Sequence, residues 1–223
     1  MSKAETITLE AADGHHFSAY VSRPAGAPRA GLVVLQEVFG VNGHIRGVAD
    51  GYATEGFLAI APALFDRAER GIELGYSEDE LTRGRALRGA IAPEAVLQDV
   101  AAAAAAVAEA GPTAIVGYCW GGLIAWQAAG ALDLAVAVGY YGGGIQDNLA
   151  RAPRCPIMLH FGDKDAFITP EHIAAIRAAY PELPIHTYPA GHGFNCDQRS
   201  DFDPESAALA LERTLAFFAE HLG

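Results

Sequence analysis

A cysteine at position 119 lies in the pentapeptide Gly117-Tyr118-Cys119-Trp120-Gly121, between a strand-like run and a helix-like run. Residues 113–116 are mostly β-branched, and residues 123–130 are rich in helix formers. Small residues around a central nucleophile suit a sharp strand-to-helix turn, because neighbouring backbone and Cβ atoms crowd there. Such a turn lifts the central side chain beside the N–H groups of the helix start. The pattern predicts a nucleophilic thiol at Cys119; a buried structural cysteine in a glycine-rich turn is the alternative.

Three further polar residues, Glu37, Asp165 and His192, each come shortly after a strand-like run. In parallel α/β sheets, ligands bind outside the carboxyl ends of the strands. A nucleophile, an acid and a histidine therefore occur at such ends, in the order that hydrolases with a strand–turn–helix nucleophile use. We expect Cys119, Asp165 and His192 to act together at one edge of a sheet.

The histidine and the acid each have an alternative interpretation. His192 lies in Ala190-Gly191-His192-Gly193-Phe194, where glycines let a loop deliver the imidazole over the sheet, although a lone loop histidine often has no special role. We prefer Asp165 to Asp163 as its partner. An aspartate directly after a strand commonly shapes the turn by bonding local backbone N–H groups, whereas one beyond the turn can reach the imidazole.

Glu37 is a carboxylate directly after an apolar strand-like run, where it is desolvated unless it is paired or protonated. It caps the next helix in one interpretation. In the functional one, it lies beside the thiol as a hydrogen-bond partner or proton acceptor. The backbone N–H groups of Val38 and Trp120, which follow Glu37 and Cys119, are the expected oxyanion-hole donors.

Strand-like and helix-like segments alternate along the chain, which predicts an α/β fold whose mostly parallel sheet carries helices on both faces. The predicted strands are 7–9, 17–22, 31–36, 57–61, 113–117, 134–139, 157–161 and 185–188. The predicted helices are one ending near residue 55, then 93–110, 122–130, 171–180 and 204–222. Charged residues 66–89 are expected to form an excursion over the sheet edge, and residues 1–223 to form a single domain.

The bulk composition excludes several classes of protein. Apolar residues make up 51% of the 223, but no uninterrupted apolar run reaches the roughly 18 residues that a membrane helix needs. The N-terminus has no secretory leader, so a cytoplasmic location is expected, with Cys119, Cys155 and Cys196 as free thiols. A net charge of −12 argues against nucleic-acid binding and against adsorption to anionic membranes.

Four segments together resemble the dienelactone hydrolase family, whose members are also called carboxymethylenebutenolidases. They are Gln36-Glu37-Val38-Phe39-Gly40, Gly117-Tyr118-Cys119-Trp120-Gly121-Gly122, Gly162-Asp163-Lys164-Asp165 and Ala190-Gly191-His192-Gly193-Phe194. The resemblance spans nearly the whole chain and implies an α/β-hydrolase fold. It also implies a Cys119–His192–Asp165 triad that opens enol-lactones without a metal or cofactor. In the family, the glutamate that matches Glu37 holds the thiol and deprotonates it when substrate binds.

The resemblance also implies that two arginines bind a carboxylate of the substrate. One lies a few residues after the catalytic histidine, where this chain has Cys196, and Arg199 is the nearest arginine. The other lies in the excursion, where Arg83, Arg85 and Arg88 are all candidates. We take Arg85 and Arg199 as the predicted substrate-binding residues. Cys196 itself is a candidate for the lining of the pocket.

Three functions remain open from the sequence. The first is a cysteine-dependent hydrolase of lactones or activated esters, and the second is a broad-specificity carboxylesterase with the same triad. The third is a non-catalytic relative in which Cys119 is oxidised reversibly. A small lactone or ester is the expected partner, and a monomer is the expected state. Cys155 precedes Pro156 at the start of a strand, away from the carboxyl edge, and is expected to have no role.

Overall fold

The structure, a computed structural model, describes residues 3–223, so the first two residues of the N-terminal segment considered above lie outside it. Contacts between residues divide the chain into two compact units. The first ends at Ile115 and the second comprises Val116–Gly223. The expectation of a single domain therefore stays a prediction, and we describe each unit by itself.

The first unit contains the opening hairpin and the first parallel strands. Its strands are β1 (Lys3–Glu10), β2 (His16–Arg23), β3 (Ala30–Leu35) and β4 (Phe57–Pro62), and its helices are α1 (Gly43–Thr54), α2 (Glu78–Gly89) and α3 (Pro93–Val107). The strand order is β1-β2-β4-β3. The β1/β2 and β2/β4 pairs are antiparallel, whereas β3 and β4 are parallel and buried along their whole lengths. Continuous apolar runs thus form the covered strands, as expected for parallel pairs.

Helix α2 lies within the charged excursion, where the sequence did not lead us to predict a helix. Its start is a capping box: Ser77 Oγ accepts a hydrogen bond from the Glu80 N–H, and the Glu80 carboxylate accepts one from the Ser77 N–H. The helix has few apolar residues and no continuous apolar face. Its sequence therefore lacks the repeat of apolar residues every three to four positions that predicts a helix. The Ser-x-x-Glu spacing at 77–80 was the signal that could have found it.

The second unit contains the remaining parallel strands. Strand β5 (Thr113–Tyr118) runs into it, followed by β6 (Val136–Tyr140), β7 (Ile157–Gly162) and β8 (Ile185–Tyr188); the helices are α4 (Trp120–Ala131), α5 (Pro170–Ala179) and α6 (Pro204–Leu222). The β6/β7 and β7/β8 pairs are parallel. The predicted alternation of strands and helices is confirmed over residues 3–223, with element ends shifted by a few residues.

None of the helices in residues 3–223 has, by itself, the length and apolarity to span a bilayer. Only α2 and the helical segment Pro93–Ala110 together meet the requirement on length and composition, and they are bent by 93° at their junction.

A buried polar cluster joins three strands of the second unit to α6. His160 Nδ1 lies 2.7 Å from the hydroxyl of Tyr188, and His160 Nε2 lies 3.1 Å from the hydroxyl of Thr214. The Thr214 hydroxyl is also 2.7 Å from that of Tyr140. Because hydroxyls both donate and accept, a neutral imidazole can satisfy both of its ring nitrogens here.

We expect this cluster to make the protein less stable in mild acid. Burial lowers the pKa of His160 well below 6.5, and the charges of His186 and Arg213 add to that effect. Below pH ~6.5 the unfolded histidine binds a proton that the folded one does not. Each unit by which the pH is lowered then reduces the free energy of unfolding by up to about 1.4 kcal/mol. Urea unfolding between about pH 5 and pH 7 measures this slope, and His160→Gln should make it shallower. Equal slopes in the two proteins would contradict the assignment.

Candidate active site

Cys119 occupies a strained turn between β5 and α4. Its φ of 54° and ψ of −112° lie outside the regions that L-residues prefer. Its N–H donates to the carbonyl of Tyr140 at 3.0 Å. A Cβ at Gly117 would collide with the carbonyl of Gly121, which explains the glycine two residues before the cysteine. Strain of this kind costs about 1–3 kcal/mol and is kept where the surrounding structure imposes it.

The second unit brings Cys119, His192 and Asp165 into one chain of polar contacts. Sγ of Cys119 lies 3.2 Å from Nε2 of His192, and Nδ1 of the same ring lies 2.7 Å from Oδ2 of Asp165. Asp165 follows β7 and His192 follows β8, so the ends of neighbouring parallel strands deliver the two side chains. Such an arrangement can move a proton between sulfur and ring while the carboxylate fixes the orientation of the ring.

Asp165, and not Asp163, contacts the imidazole. The other oxygen of Asp165, Oδ1, accepts the backbone N–H groups of Phe167 at 2.7 Å and Ile168 at 3.1 Å. The side chain of Asp165 is fully buried, whereas Asp163 is exposed. Asp165 thus both shapes its own loop and holds His192, whereas we expected Asp163 to shape the turn.

The environment of His192 favours its protonated form. Burial acts to lower the pKa of His192, but the Cys119 thiolate and the hydrogen bonds to Asp165 and Cys119 outweigh it and raise the pKa to about 10. An imidazolium beside sulfur stabilises a thiolate, which is the nucleophilic form of cysteine. The 3.2 Å contact between sulfur and Nε2 therefore suits proton transfer between Cys119 and His192.

Two aromatic rings flank the imidazole of His192. The ring of Tyr141 is tilted, with its centroid 5.2 Å away, and the ring of Phe167 meets the imidazole edge to face at the same separation. Tyr141 is fully buried and has a φ of 38°, the other positive value among the non-glycine residues of 3–223. The loop after β6, which contains Tyr141, therefore packs against His192, a contact that sequence reasoning missed.

Trp120 and Arg199 are the other predicted site residues in the second unit. Trp120 is the first residue of α4, so its N–H belongs to the first turn directly after Cys119. The guanidinium of Arg199 lies over Gly193, the residue after His192, where any Cβ would collide with it. Arg199 is also 3.8 Å from the carboxylate of Asp201. The arginine is thus placed against the histidine loop.

Glu37 and Val38 belong to the first unit, in the turn after β3. The side chain of Gln36 fixes this turn, because it donates to the Glu37 carbonyl at 3.3 Å and accepts the Leu64 N–H at 3.1 Å. Glu37 is 1% exposed. It does not cap the next helix, since the side chain of Asn42 accepts the first-turn N–H of α1. The capping interpretation of Glu37 is therefore wrong.

His44 of α1 is also buried, and its ring nitrogen lies within 4.8 Å of a carboxylate oxygen of Glu37. An imidazole this close can stabilise a buried carboxylate.

The three arginines of α2 differ in their surroundings. Arg85 is exposed, Arg83 pairs with Glu69 at 2.7 Å, and Arg88 is partly buried. Gly84 of the same helix packs directly against the carbonyl of Val38. Because residues four apart share a face of a helix, Arg88 lies on the side of α2 that carries Gly84.

The remaining two cysteines have different environments. Cys155 is half-buried before β7, at the amino end of the strand, and burial raises the pKa of its thiol to about 11. Such a thiol stays protonated and unreactive at neutral pH. Cys196, four residues after His192, is fully buried.

Comparison with known proteins identifies the family. The model of the Dienelactone hydrolase family matches residues 17–222. The chain belongs to the dienelactone hydrolase family. It is accordingly a hydrolase of the ester- and lactone-cleaving kind with an α/β-hydrolase fold, which confirms the fold and the reaction class expected from the sequence.

Individual relatives agree with this assignment. The carboxymethylenebutenolidase of Pseudomonas sp. (strain P51) is 36% identical over 95% of this chain and 93% of its own length. That of Pseudomonas putida is 35% identical over 96% of each chain. A crystal structure from Klebsiella pneumoniae superposes on 97% of this chain and 99% of its own with a TM-score of 0.86 and 31% identity. The dienelactone hydrolase-like promiscuous phosphotriesterase P91, at 19% identity and a TM-score of 0.77, shows the shared fold alone; the match covers 99% of each chain.

Proposed function

We propose that this family member is a cysteine-dependent hydrolase that opens enol-lactones and related activated esters. Cys119 is the nucleophile, His192 carries the proton, and Asp165 orients His192. The observation that carries the proposal is the continuous set of contacts from sulfur through imidazole to carboxylate, at 3.2 Å and 2.7 Å.

The reaction then has two halves. In the first, the Cys119 thiolate attacks the carbonyl carbon, the ring C–O bond breaks, and the departing oxygen takes the proton from Nε2 of His192. In the second, His192 takes a proton from water, and the hydroxide attacks the thioester and releases the carboxylic acid and the sulfur. The N–H of Trp120 stabilises the oxyanion in both halves, because it lies in the first turn directly after the nucleophile.

Glu37 and Val38 enter this proposal through the family resemblance. Val38 supplies a second oxyanion donor through its backbone N–H. As the resemblance implies, Glu37 holds the thiol and accepts its proton when substrate binds to enzyme whose Cys119 is still neutral; that proton then goes to the departing oxygen. The near-complete burial of Glu37 keeps water away from this transfer. The proximity of His44 helps to hold the carboxylate in place.

Arg199 and Arg85 are our proposed contacts for a substrate carboxylate. The position of Arg199 against Gly193 supports its role, because the guanidinium is held beside the loop that carries His192. The choice of Arg85 rests on the family resemblance, which implies that an arginine of the excursion binds the substrate carboxylate. We further propose that the enzyme works as a single-domain monomer in the cytoplasm. The resemblance implies in addition that it needs no metal or cofactor.

The thioester is the step to test. The enzyme is mixed with an enol-lactone or aryl ester, quenched in acid within milliseconds to seconds, and digested for mass spectrometry. We expect the acyl group on the peptide that contains Cys119 and not on those that contain Cys155 or Cys196. The adduct should be released by hydroxylamine at neutral pH, as thioesters are. An acyl group on another residue would contradict the proposal.

A further inference from the structure

Phe167 presents an apolar ring to solvent beside the triad. It is 54% exposed, the highest value among the large apolar side chains of residues 3–223 with substantial exposure. An aromatic ring in contact with water represents hydrophobic free energy that a ligand could gain by covering it. Whether a ligand can use this ring depends on how firmly the position of Phe167 is fixed.

The backbone around Phe167 fixes that position. Its N–H donates to Oδ1 of Asp165 at 2.7 Å, and the N–H of Ile168 donates to the same oxygen at 3.1 Å. Ile168 is 2% exposed and anchors the segment in the core, and α5 begins at Pro170. The carboxylate that orients His192 thus also holds the residue that carries the exposed ring.

The two rings that flank His192 have different environments. Tyr141 is fully buried, so its contact with the imidazole is already complete in the protein. Phe167 meets the imidazole at 5.2 Å and 84°, with more than half of its surface open. Tyr141 can support the imidazole without substrate, whereas the open surface of Phe167 is available to a bound molecule.

The departing oxygen of the substrate must come within hydrogen-bond reach of His192 Nε2. The group attached to that oxygen therefore lies near the ring of Phe167, whose centroid is 5.2 Å from that of the imidazole. We propose that Phe167 determines specificity for the leaving group, and that its ring packs against a planar, apolar group such as a phenyl or conjugated enol. This inference rests on the proposed function, because it takes His192 as the proton donor.

The test compares two esters with the same acyl group. Phenyl acetate has an aromatic leaving group, and vinyl acetate has a compact enol leaving group. We expect Phe167→Ala to lower kcat/KM for phenyl acetate about 10-fold and that for vinyl acetate by less than about 2-fold. Phe167→Leu, which keeps an apolar side chain, should fall between. Leu209→Ala removes another exposed apolar side chain, on α6, and is the matched control that should leave both rates unchanged.

The outcomes separate this inference from the function on which it rests. An equal loss for both esters, with an altered pH profile of kcat, would show that Phe167 only holds His192 in place and would overturn the inference. Unchanged rates for both esters in Phe167→Ala would overturn it as well. A wild-type enzyme that opens an enol-lactone but hydrolyses neither ester would overturn the inference alone. One that hydrolyses none of the three would overturn the proposed function, and the inference with it.

Discussion

Replacing Cys119 by alanine is expected to lower kcat/KM for an enol-lactone or aryl ester by at least about 10⁴-fold. The variant loses the atom that attacks the carbonyl in the proposed reaction, and neither of the other two thiols is suited to replace it. Cys196 is fully buried, and burial raises the pKa of Cys155 to about 11. Steady-state kinetics on purified enzyme measures the loss.

A matched cysteine variant separates catalysis from folding. Cys155→Ala removes a half-buried thiol at the amino end of β7 and should keep kcat/KM within about 2-fold of the wild type. Near-wild-type hydrolysis by Cys119→Ala would rule out a nucleophilic role for Cys119. A low rate in both variants would indicate a loss of folded enzyme, which circular dichroism detects.

The same substitution should change the titration of His192. The Cys119 thiolate is the largest influence that raises the pKa of this residue to about 10. In Cys119→Ala that charge is absent, so the imidazole should release its proton at a lower pH. An NMR titration of the His192 ring in both proteins measures this change, and identical titration curves would argue against electrostatic coupling between the two side chains.

Replacing Asp165 by asparagine is expected to lower kcat/KM by about 10⁴-fold near neutral pH. The amide would donate its N–H to Nδ1 of His192, so that the proton of the neutral ring moves to Nε2. The ring could then no longer accept a proton from sulfur or water. Loss of the carboxylate should also lower the pKa of His192, because the hydrogen bond to Asp165 helps to raise it.

Asp163→Asn is the control for Asp165→Asn. Asp163 lies two residues earlier in the same loop and is exposed, so its substitution should keep kcat/KM within about 2-fold of the wild type. A large loss in Asp163→Asn together with a small one in Asp165→Asn would reverse the assignment of the acid. This pair of variants therefore tests in solution the sequence-based preference for Asp165 over Asp163.

The second unit shows why polar contacts between distant positions are difficult to predict. His160 lies in β7 and bonds Tyr188 of β8 and Thr214 of α6. Nothing local in the sequence marks these residues as partners, because each is surrounded in sequence by the apolar residues of its own strand or helix.

Helix α2 of the first unit was not predicted because its sequence is mostly charged and polar. A helix packed against a core would show an apolar stripe, which is the pattern that predicts a helix.

The sequence by itself determined the order of the strands, the order of the helices other than α2, and the identities of Cys119, Asp165 and His192 as candidates. These depend on local properties: strand and helix periodicity, and small residues around a turn. Only the tertiary structure decided that Asp165 contacts His192, that Tyr141 and Phe167 flank the imidazole, and that Asn42 caps α1. Such contacts depend on where whole elements pack, and packing is set by many distant side chains at once.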